Sequence, residues 1–531
     1  MSGVIASSLL LSNIAFATLP KNISVDETLT GATYNETLNG SFFNISNGAT
    51  ATLDGDTTFN ITENGDNETR VDITNGNLNT NHKLSINISP DASVKHTRPK
   101  GMIVRGDSTV NIRDLAVDVT HASEEDTDYV SPDSNASYGI ALGYDHNGGA
   151  ADKFSKLTVN NADINVTNTT NTVFGNKTAT KKISIITITA KVKFGHQLSG
   201  LKIIRTNGST PEFVSNGKLN INVHDSSTAK AGDYLVGVYI SGNGAKATFN
   251  GDTNIAVSAN GINSAGIKIG KPFEDSENGV SVTANGKLIV DTTATADSAA
   301  VRLFNNNAKL EVTGKNPQEK SEIKSGNSAI VYDTQDWKTS ADVTIFGTFT
   351  IYTSRNFNGN NQSVKLNNTE LSTTSETASL IKVNAENVRD QSFGQASRFS
   401  NQLNHGKFSV KNATFELSSD KSRATAAHNG WLMEVKGLDN TEPSDENKSD
   451  LTATISDEAK IIGLVHKEHS SKLDLTLNNA TWALKKKGTQ TTSTLNNLTL
   501  KNNAVLDATL PKIAQADLEQ AFNSAKQKGL T

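Results

Sequence analysis

The chain has no cysteine, little proline and few aromatic residues. Of its 531 residues, none is Cys, 9 are Pro and 6% are Phe, Trp or Tyr. Without cysteine there are no disulfide bonds and no zinc or iron–sulfur site with thiolate ligands. The scarcity of proline excludes a proline-rich linker. Only 35% of the residues are hydrophobic, which favours a thin, extended core over a large globular one.

Neither sign of charge dominates. The 50 basic and 55 acidic residues give a net charge of −5, which provides no electrostatic footprint for nucleic acid. We therefore expect no nucleic-acid partner, and the sequence predicts no cofactor. The absence of cysteine suits export through a narrow pore, although compositional drift explains it equally well.

The N-terminus has the pattern of a secretory signal peptide. Residues Val4–Phe16 form an apolar run, and Ala15 and Ala17 are the small residues at −3 and −1 of a cleavage site before Thr18. The run is too short to span a membrane, and no Lys or Arg precedes it. The sequence predicts a signal peptide over residues 1–17 and export of the remainder.

One recurring unit consists of two short alternating strands joined at Asn or Gly. Residues 157–166, 408–417 and 473–484 are examples. Alternation places the apolar residues on one face of each strand. Asn and Gly tolerate positive φ, so we expect a sharp corner at the junction.

A second recurring unit has four positions: a small residue, a branched residue, any residue and an apolar residue. Its copies begin at Gly101, Gly139, Gly200, Gly237, Gly266, Ala300 and Ala329. Successive starts are 38, 61, 37, 29, 34 and 29 residues apart. Because 61 is about two periods, we expect a hidden copy within residues 160–198.

The two units alternate along the chain, giving three strands in every 30–38 residues or so. This pattern predicts an all-β fold, a right-handed three-sided parallel β-helix over residues 18–470, and coil strands with a basic outer face at 181–194. One coil buries five or six aliphatic side chains at about 1.5–3 kcal/mol each, whereas ordering it costs roughly 45 kcal/mol. The coils must therefore stack. The expected internal stack is Ile140, Val238, Ile267, Val301 and Ile330.

The C-terminal region resembles a known family. Residues 475–482 (LTLNNATW) are followed by 494–505 (TLNNLTLKNNAV). Together with the signal peptide and the Asn/Thr/Ser-rich coils, they resemble pertactin-like autotransporter passenger domains. The resemblance implies a partial C-terminal capping region over residues 471–509, in which Trp482, Leu498 and Leu500 would take part.

The resemblance also implies export through an outer-membrane barrel. No series of alternating membrane strands follows Ala508, and residues 510–531 have the spacing of a short helical tail. We expect an exported chain at the cell surface, at the outer membrane or outside the cell, or in the periplasm if no barrel accompanies it.

The expected function is adhesion or self-association rather than catalysis. The partners would be proteins or glycans on host cells or neighbouring cells, or further copies of the chain. One alternative is a β-helix enzyme acting on polysaccharide, which would need clustered carboxylates on one coil face. Another is a truncated passenger without function.

Arg105, Gly106 and Asp107 form the one short motif with a direct adhesion interpretation, since an exposed RGD loop can engage integrins. A chance tripeptide in an ordinary turn is the alternative. Gly106-Asp107-Ser108 also resembles part of a serine-protease nucleophile motif. Thr109 follows where that motif has Gly, and no fitting His or Asp precedes it, so we expect no protease activity.

Three tryptophans and one histidine pair are further candidate sites. Trp337, Trp431 and Trp482 are expected to pack in loops or the cap, with sugar stacking as the alternative. His466 and His469 are three residues apart, a spacing that can bind metal on a helix. Their segment has the composition of a loop, so we expect a solvated pair.

Overall fold

The computed structural model describes most of the chain between residues 22 and 509. The predicted cleavage residues Ala15 and Ala17, the helical tail over 510–531 and Trp337 lie outside the described residues. The described residues are 22–65, 69–94, 97–122, 136–143, 154–169, 175–183, 186–194, 197–205, 210–226, 235–259, 262–270, 279–304, 306–314, 319–333, 341–344, 348–351, 358–384, 387–388, 406–407, 409–436, 449–468 and 471–509.

Every regular element in these ranges is a β-strand, and the strands are numbered β1 to β46 in chain order. Strands form because the alternating segments are rich in Val, Ile and Thr, whose branched side chains pack well on a pleated surface. Within the described ranges, no helix has the length and apolarity needed to cross a lipid bilayer. Long parallel sheets make a barrel-like solenoid, as expected of a parallel β-helix.

The first sheet contains 13 strands, and each pairs in parallel with its neighbours. In order, its strands are β1 (Asn22–Ile23), β4 (Ser41–Ile45), β7 (Arg70–Thr74), β9 (Lys100–Arg105), β11 (Ala136–Leu142), β15 (Gln197–Ile204), β18 (Leu235–Ser241), β21 (Ile262–Ile269), β24 (Asp297–Leu303), β27 (Ser328–Tyr332), β33 (Ile381–Val383), β39 (Met433–Val435) and β42 (Val465–Lys467).

The second sheet is also parallel, and its strands pair along two lines, named here for their first strands. Three long strands belong to both lines: β8 (Asn77–Pro90), β10 (Ser108–His121) and β12 (Phe154–Asn168). The other strands of the β2 line are β2 (Glu27–Thr30), β5 (Thr50–Asp54), β16 (Thr210–Ser215), β19 (Lys246–Phe249), β22 (Ser281–Ala284), β25 (Lys309–Val312), β31 (Ser363–Asn367), β37 (Ala413–Ser418), β40 (Asp450–Ser456), β43 (Lys472–Asn478) and β45 (Asn497–Lys501). The other strands of the β3 line are β3 (Thr33–Leu38), β6 (Thr57–Glu63), β17 (Leu219–Asp225), β20 (Thr253–Ser258), β23 (Leu288–Thr292), β26 (Ser321–Ser325), β32 (Thr369–Thr373), β38 (Arg423–Thr425), β41 (Lys460–Ile462), β44 (Thr481–Ala483) and β46 (Val505–Asp507).

Eight strands lie outside these lines, and two of them overturn one prediction. The sequence predicts that residues 181–194 are coil strands with a basic outer face. They belong instead to an antiparallel hairpin that pairs with a second hairpin. Period-2 alternation is common to both kinds of strand, so it did not distinguish them. The eight strands are β13 (Gly175–Ile183), β14 (Ile186–Phe194), β28 (Ala341–Thr344), β29 (Thr348–Ile351), β30 (Asn358–Asn360), β34 (Asn387–Val388), β35 (Gly406–Lys407) and β36 (Ser409–Lys411).

The expected hidden copy within residues 160–198 is also wrong. Strand β11 pairs directly with β15, and Leu142 aligns with Ile203. The 61-residue interval is therefore a single coil lengthened by the β13–β14 hairpin. An insertion between strands changes the spacing of a repeat without adding a rung, that is, one further level of stacked strands.

The predicted internal stack follows the first sheet. Ile267 aligns with Val238 on one side and Val301 on the other, and Val301 aligns with Ile330. Ile140 joins the same column through Leu201. The column begins at Phe43 and ends at Val465, and all its members are buried. The full column is Phe43, Val71, Met102, Ile140, Leu201, Val238, Ile267, Val301, Ile330, Ile381, Met433 and Val465.

The recurring small residue of the second unit has a packing cause. A Cβ atom built on Gly237 would overlap Cγ2 of Ile255 and lie 2.7 Å from the Gly266 carbonyl oxygen. Gly139 and Gly200 meet the β3 line in the same way, against Ile164 and Ile221. The small residue therefore lets the first sheet approach the inward-facing aliphatic residues of the β3 line.

The predicted role of asparagine at corners is confirmed at several strand ends, but it is wrong for residues 157–166, where β12 runs through Asn160 and Asn161 without a corner. Asn412, Asn479 and Asn502 have φ of 54°, 52° and 49°. Asn tolerates this left-handed conformation better than most residues because its short side chain can hydrogen-bond locally.

An aromatic cluster fills the core at the N-terminal end. The Phe59 ring centroid lies 5.6 Å from that of Tyr34, 5.4 Å from that of Phe42 and 5.2 Å from that of Phe43. All four side chains are buried. Aromatic pairs at these distances stabilise the core beyond the area they bury, so the first rungs have a rigid backing.

Candidate functional site

A regular polar surface lies on the outer side of this aromatic cluster, on β3, β6 and the second half of β8. Asn35, Asn60 and Asn87 align in one column across the three strands. A column of hydroxyl residues flanks the asparagines on each side. We call the nine residues the amide face: Thr33, Asn35, Thr37, Thr58, Asn60, Thr62, Ser85, Asn87 and Ser89.

The asparagines of the amide face are hydrogen-bonded in series. The Nδ2 atom of Asn60 donates to Oδ1 of Asn35 at 2.8 Å, and Nδ2 of Asn87 donates to Oδ1 of Asn60 at 2.8 Å. Phe59 and Ile61, which flank Asn60 in β6, are buried. The backbone and the side-chain bonds together hold the amides in one orientation.

Hydrogen-bonding capacity remains on this surface. An asparagine that donates once and accepts once keeps a second N–H and a second carbonyl lone pair, and each hydroxyl can donate and accept. Rungs repeat at about 4.8 Å, and same-face side chains repeat at about 6.7 Å along a strand. None of the nine residues is ionisable, so the amide face is an uncharged lattice of donors and acceptors.

The asparagine column continues beyond the amide face, but there it includes a charged residue. Its fourth member is Asp118, which accepts a hydrogen bond from Asn165 at 2.7 Å. Asn222 then donates to Asn165 at 2.9 Å. Charge therefore enters the asparagine column at the fourth rung.

The RGD tripeptide lies at the turn after β9, and its arginine is already engaged. The Arg105 guanidinium contacts the Asp72 carboxylate at 2.9 Å and donates to the Thr74 hydroxyl at 2.8 Å. Gly106 has φ of 70°, and the Asp107 N–H donates to the Asn75 side chain at 3.1 Å. The geometry is that of a rung-to-rung turn rather than of a projecting loop.

The tryptophans in the described residues are packed. The Trp431 ring stacks on His466 with centroids 4.6 Å apart, and the Lys487 ammonium lies 4.4 Å from its centroid. Trp482 is buried and donates from Nε1 to the Gly463 carbonyl at 2.8 Å. Neither ring offers a free face for a sugar.

The last described rung exposes two leucines of β45 at positions that are buried in the preceding rung. Leu498 and Leu500 are 37% and 49% exposed. They align with Leu475 and Leu477, which are buried one rung earlier. Trp482, the third predicted cap residue, is therefore inside the solenoid, whereas the two leucines lie on the last rung of the described residues.

The outer face of the first sheet has a different character. Lys202, Tyr239 and Lys268 align in a column, and the Lys202 ammonium lies 4.1 Å from the Tyr138 ring centroid. Tyr138, Lys202 and Lys268 are at most 4% exposed. Because this face is covered, it does not form an accessible surface comparable with the amide face.

The described part of the chain has no group of three or more His, Asp or Glu side chains placed to hold a metal ion. His466 contacts Trp431 and the Thr494 hydroxyl, and His469 lies outside the described residues. One carboxyl group is unusual: burial raises the pKa of Glu63 to about 8, against the opposing effects of Thr69 and Arg98. Glu63 is thus largely protonated at neutral pH.

The sequence contained a signal for the amide face that its strand pattern did not resolve. Asn35, Asn60 and Asn87 each begin an Asn-x-Thr or Asn-x-Ser triplet. Such triplets are frequent in a chain rich in Asn and Thr. Only the strand register shows that these three lie in one column, because the intervening turns set their alignment.

No protein-family model, curated protein or solved structure matches this chain.

Proposed function

We propose that the chain is the passenger of an exported bacterial surface protein and acts in adhesion or self-association. Its fold would be a right-handed, three-sided parallel β-helix. Support for three sides comes from the pairing pattern, since the first sheet and the two lines of the second sheet give three series of parallel strands. Each series would form one side of the coil.

The observation that carries the proposal is that the parallel strands stack without interruption along the solenoid, whose outer surface includes the polar amide face. The first sheet alone has 13 strands, which at about 4.8 Å a rung corresponds to a rod of about 60 Å. Such a rod holds many weak polar contacts in fixed positions, and simultaneous contacts to a partner surface add up. A function in contact between surfaces suits this architecture.

Export is proposed from the sequence, through the predicted signal peptide and the likeness of residues 471–509 to a passenger capping region. Leu498 and Leu500 expose apolar surface on the last described rung, which suits a region that packs against a cap. A bacterial outer-membrane barrel would act as the partner in export. The RGD tripeptide contributes little to the proposal, because Arg105 is bound within the stack.

The test is surface display of the full chain, fused to an unrelated outer-membrane anchor on a non-adherent bacterium. Attachment to cultured cells and settling of the bacterial suspension would be measured against the anchor alone. We expect increased attachment, increased aggregation or both. Display at normal density with neither effect would overturn adhesion and self-association as the function.

A further inference from the structure

We propose that the amide face binds an uncharged linear polysaccharide, an inference that rests on the proposed surface function and assigns it a ligand class. The recognition elements are the three asparagine amides and the six flanking hydroxyls. They lie on consecutive rungs, so their spacing is set by the backbone rather than by flexible side chains.

Preorganisation is the first support for this site. Asn60 accepts from Asn87 and donates to Asn35, both at 2.8 Å. These bonds restrict the amides before any ligand arrives, so less rotamer entropy is lost on binding. The remaining N–H groups and lone pairs form a fixed pattern that a ligand can satisfy directly or through bridging water.

Charge is the second support, because it selects the ligand class. The amide face has no ionisable residue, whereas its continuation carries Asp118 and Asp163. Further along the β3 line, the outer positions include Glu322, Glu370 and Arg423. The nine residues offer no ion pair to an acidic or basic polymer, and the adjacent charged residues Asp56 and Lys83 are of opposite sign. A neutral polymer bearing hydroxyls matches their donors and acceptors.

Repetition is the third support. A single sugar would make only a few weak, solvent-exposed hydrogen bonds, which contribute little net free energy. A linear polysaccharide repeats its hydroxyls and can contact several rungs at once, so the contacts act together. The predicted ligand is therefore a polymer, and monosaccharides should compete poorly with it.

The test uses the purified full chain and three soluble probes: the neutral polymers dextran and mannan, and the acidic polymer polygalacturonate. Binding is measured by affinity electrophoresis in gels containing each polymer. We expect retardation by at least one neutral polymer and none by polygalacturonate. Absence of retardation by both neutral polymers, or equal retardation by the acidic one, would overturn the inference.

Two variants locate the binding on the amide face. The Asn60→Asp/Asn87→Asp variant adds charge there, and Thr58→Val/Thr62→Val removes two hydroxyls while keeping β-branched side chains. We expect each to weaken neutral-polymer binding at least tenfold. Unchanged binding in the valine variant, with its fold verified by circular dichroism, would place the site elsewhere and overturn the inference.

Matched controls make the same chemical changes on the β2 side. Asn285 donates to Asn250 at 2.8 Å, so Asn250→Asp/Asn285→Asp is the amide control. Thr248 and Thr283 align on β19 and β22, so Thr248→Val/Thr283→Val is the hydroxyl control. Both should bind as the unmodified chain does. If displayed cells adhere normally while amide-face variants lose polysaccharide binding, adhesion uses another surface; if no cells adhere, the proposed function fails separately.

Discussion

The Arg105 guanidinium lies 2.9 Å from the carboxylate of Asp72, a residue of the preceding strand of the first sheet. Asp72 also contacts Arg70 at 3.0 Å. The arginine of the RGD tripeptide is therefore part of a structural ion-pair cluster. An integrin would have to break this pair before it could bind the guanidinium.

The first prediction is that the RGD sequence is dispensable for adhesion. Asp107→Glu preserves the charge but destroys the tripeptide, and we expect displayed cells carrying it to attach normally. Asp72→Asn should instead lower the free energy of unfolding by about 1–3 kcal/mol, because it weakens a largely buried ion pair. Attachment assays and urea denaturation measure the two effects. Loss of attachment in Asp107→Glu at normal display density would contradict this prediction.

The second prediction concerns the repeated glycine. Gly237→Ala should lower the free energy of unfolding by more than 2 kcal/mol, because the new methyl group would overlap Ile255 and crowd the Gly266 carbonyl. Combining it with Ile255→Ala should cost less than the sum of the single changes, since one clash is relieved. Urea denaturation of the four proteins in this cycle measures the coupling. Strict additivity would show that the two residues do not compete for space.

The third prediction concerns pH. The folded pKa of Glu63, about 8, lies above its ordinary value of 4.5, so its contribution to stability is complete below about pH 4.5 and is lost as pH rises through 8. We expect Glu63→Gln to remove this decline and to be about 2–4 kcal/mol more stable than the unmodified chain at pH 9. Denaturation from pH 5 to 9 measures the difference.

A matched control for Glu63 is Glu322→Gln. Hydrogen bonding to Lys324 lowers the pKa of Glu322, so that carboxyl stays ionised from pH 5 to 9. The control should show the same pH slope as the unmodified chain. Parallel slopes for all three proteins would mean that Glu63 does not titrate in this range.

The fourth prediction separates exposed from buried leucines at the C-terminal end. Leu498→Ser/Leu500→Ser should change the free energy of unfolding by less than about 1 kcal/mol and should reduce self-association, because it removes exposed apolar surface beside an open strand edge. Leu475→Ser/Leu477→Ser should destabilise the chain by several kcal/mol. Light scattering and urea denaturation measure the two properties. Comparable destabilisation by both pairs would show that the last rung is covered in solution.

The sequence predicted the parallel solenoid and its central column because glycine or alanine marked each copy from Gly101 to Ala329. The first sheet continues beyond that marker. The residue before its last three strands is Leu380, Leu432 or Leu464, so the small-residue signal disappears while the pairing persists. Large residues at that position imply that the packing against the β3 line changes there.

The hairpin over residues 175–194 and the amide face escaped prediction for related physical reasons. Alternating side chains show which residues share a face, but not whether the partner strand is parallel or antiparallel. They also do not show which asparagines align on successive rungs. Both properties depend on turn lengths, which determine register only when the whole coil is assembled.

The direct alignment of Leu142 with Ile203 has an evolutionary consequence. Sixty-one positions separate them in sequence, yet they are neighbours on consecutive rungs. Natural selection can therefore enlarge, exchange or delete the intervening excursion while the scaffold keeps its phase. New surface properties can be acquired at such sites without redesigning the core that supports them.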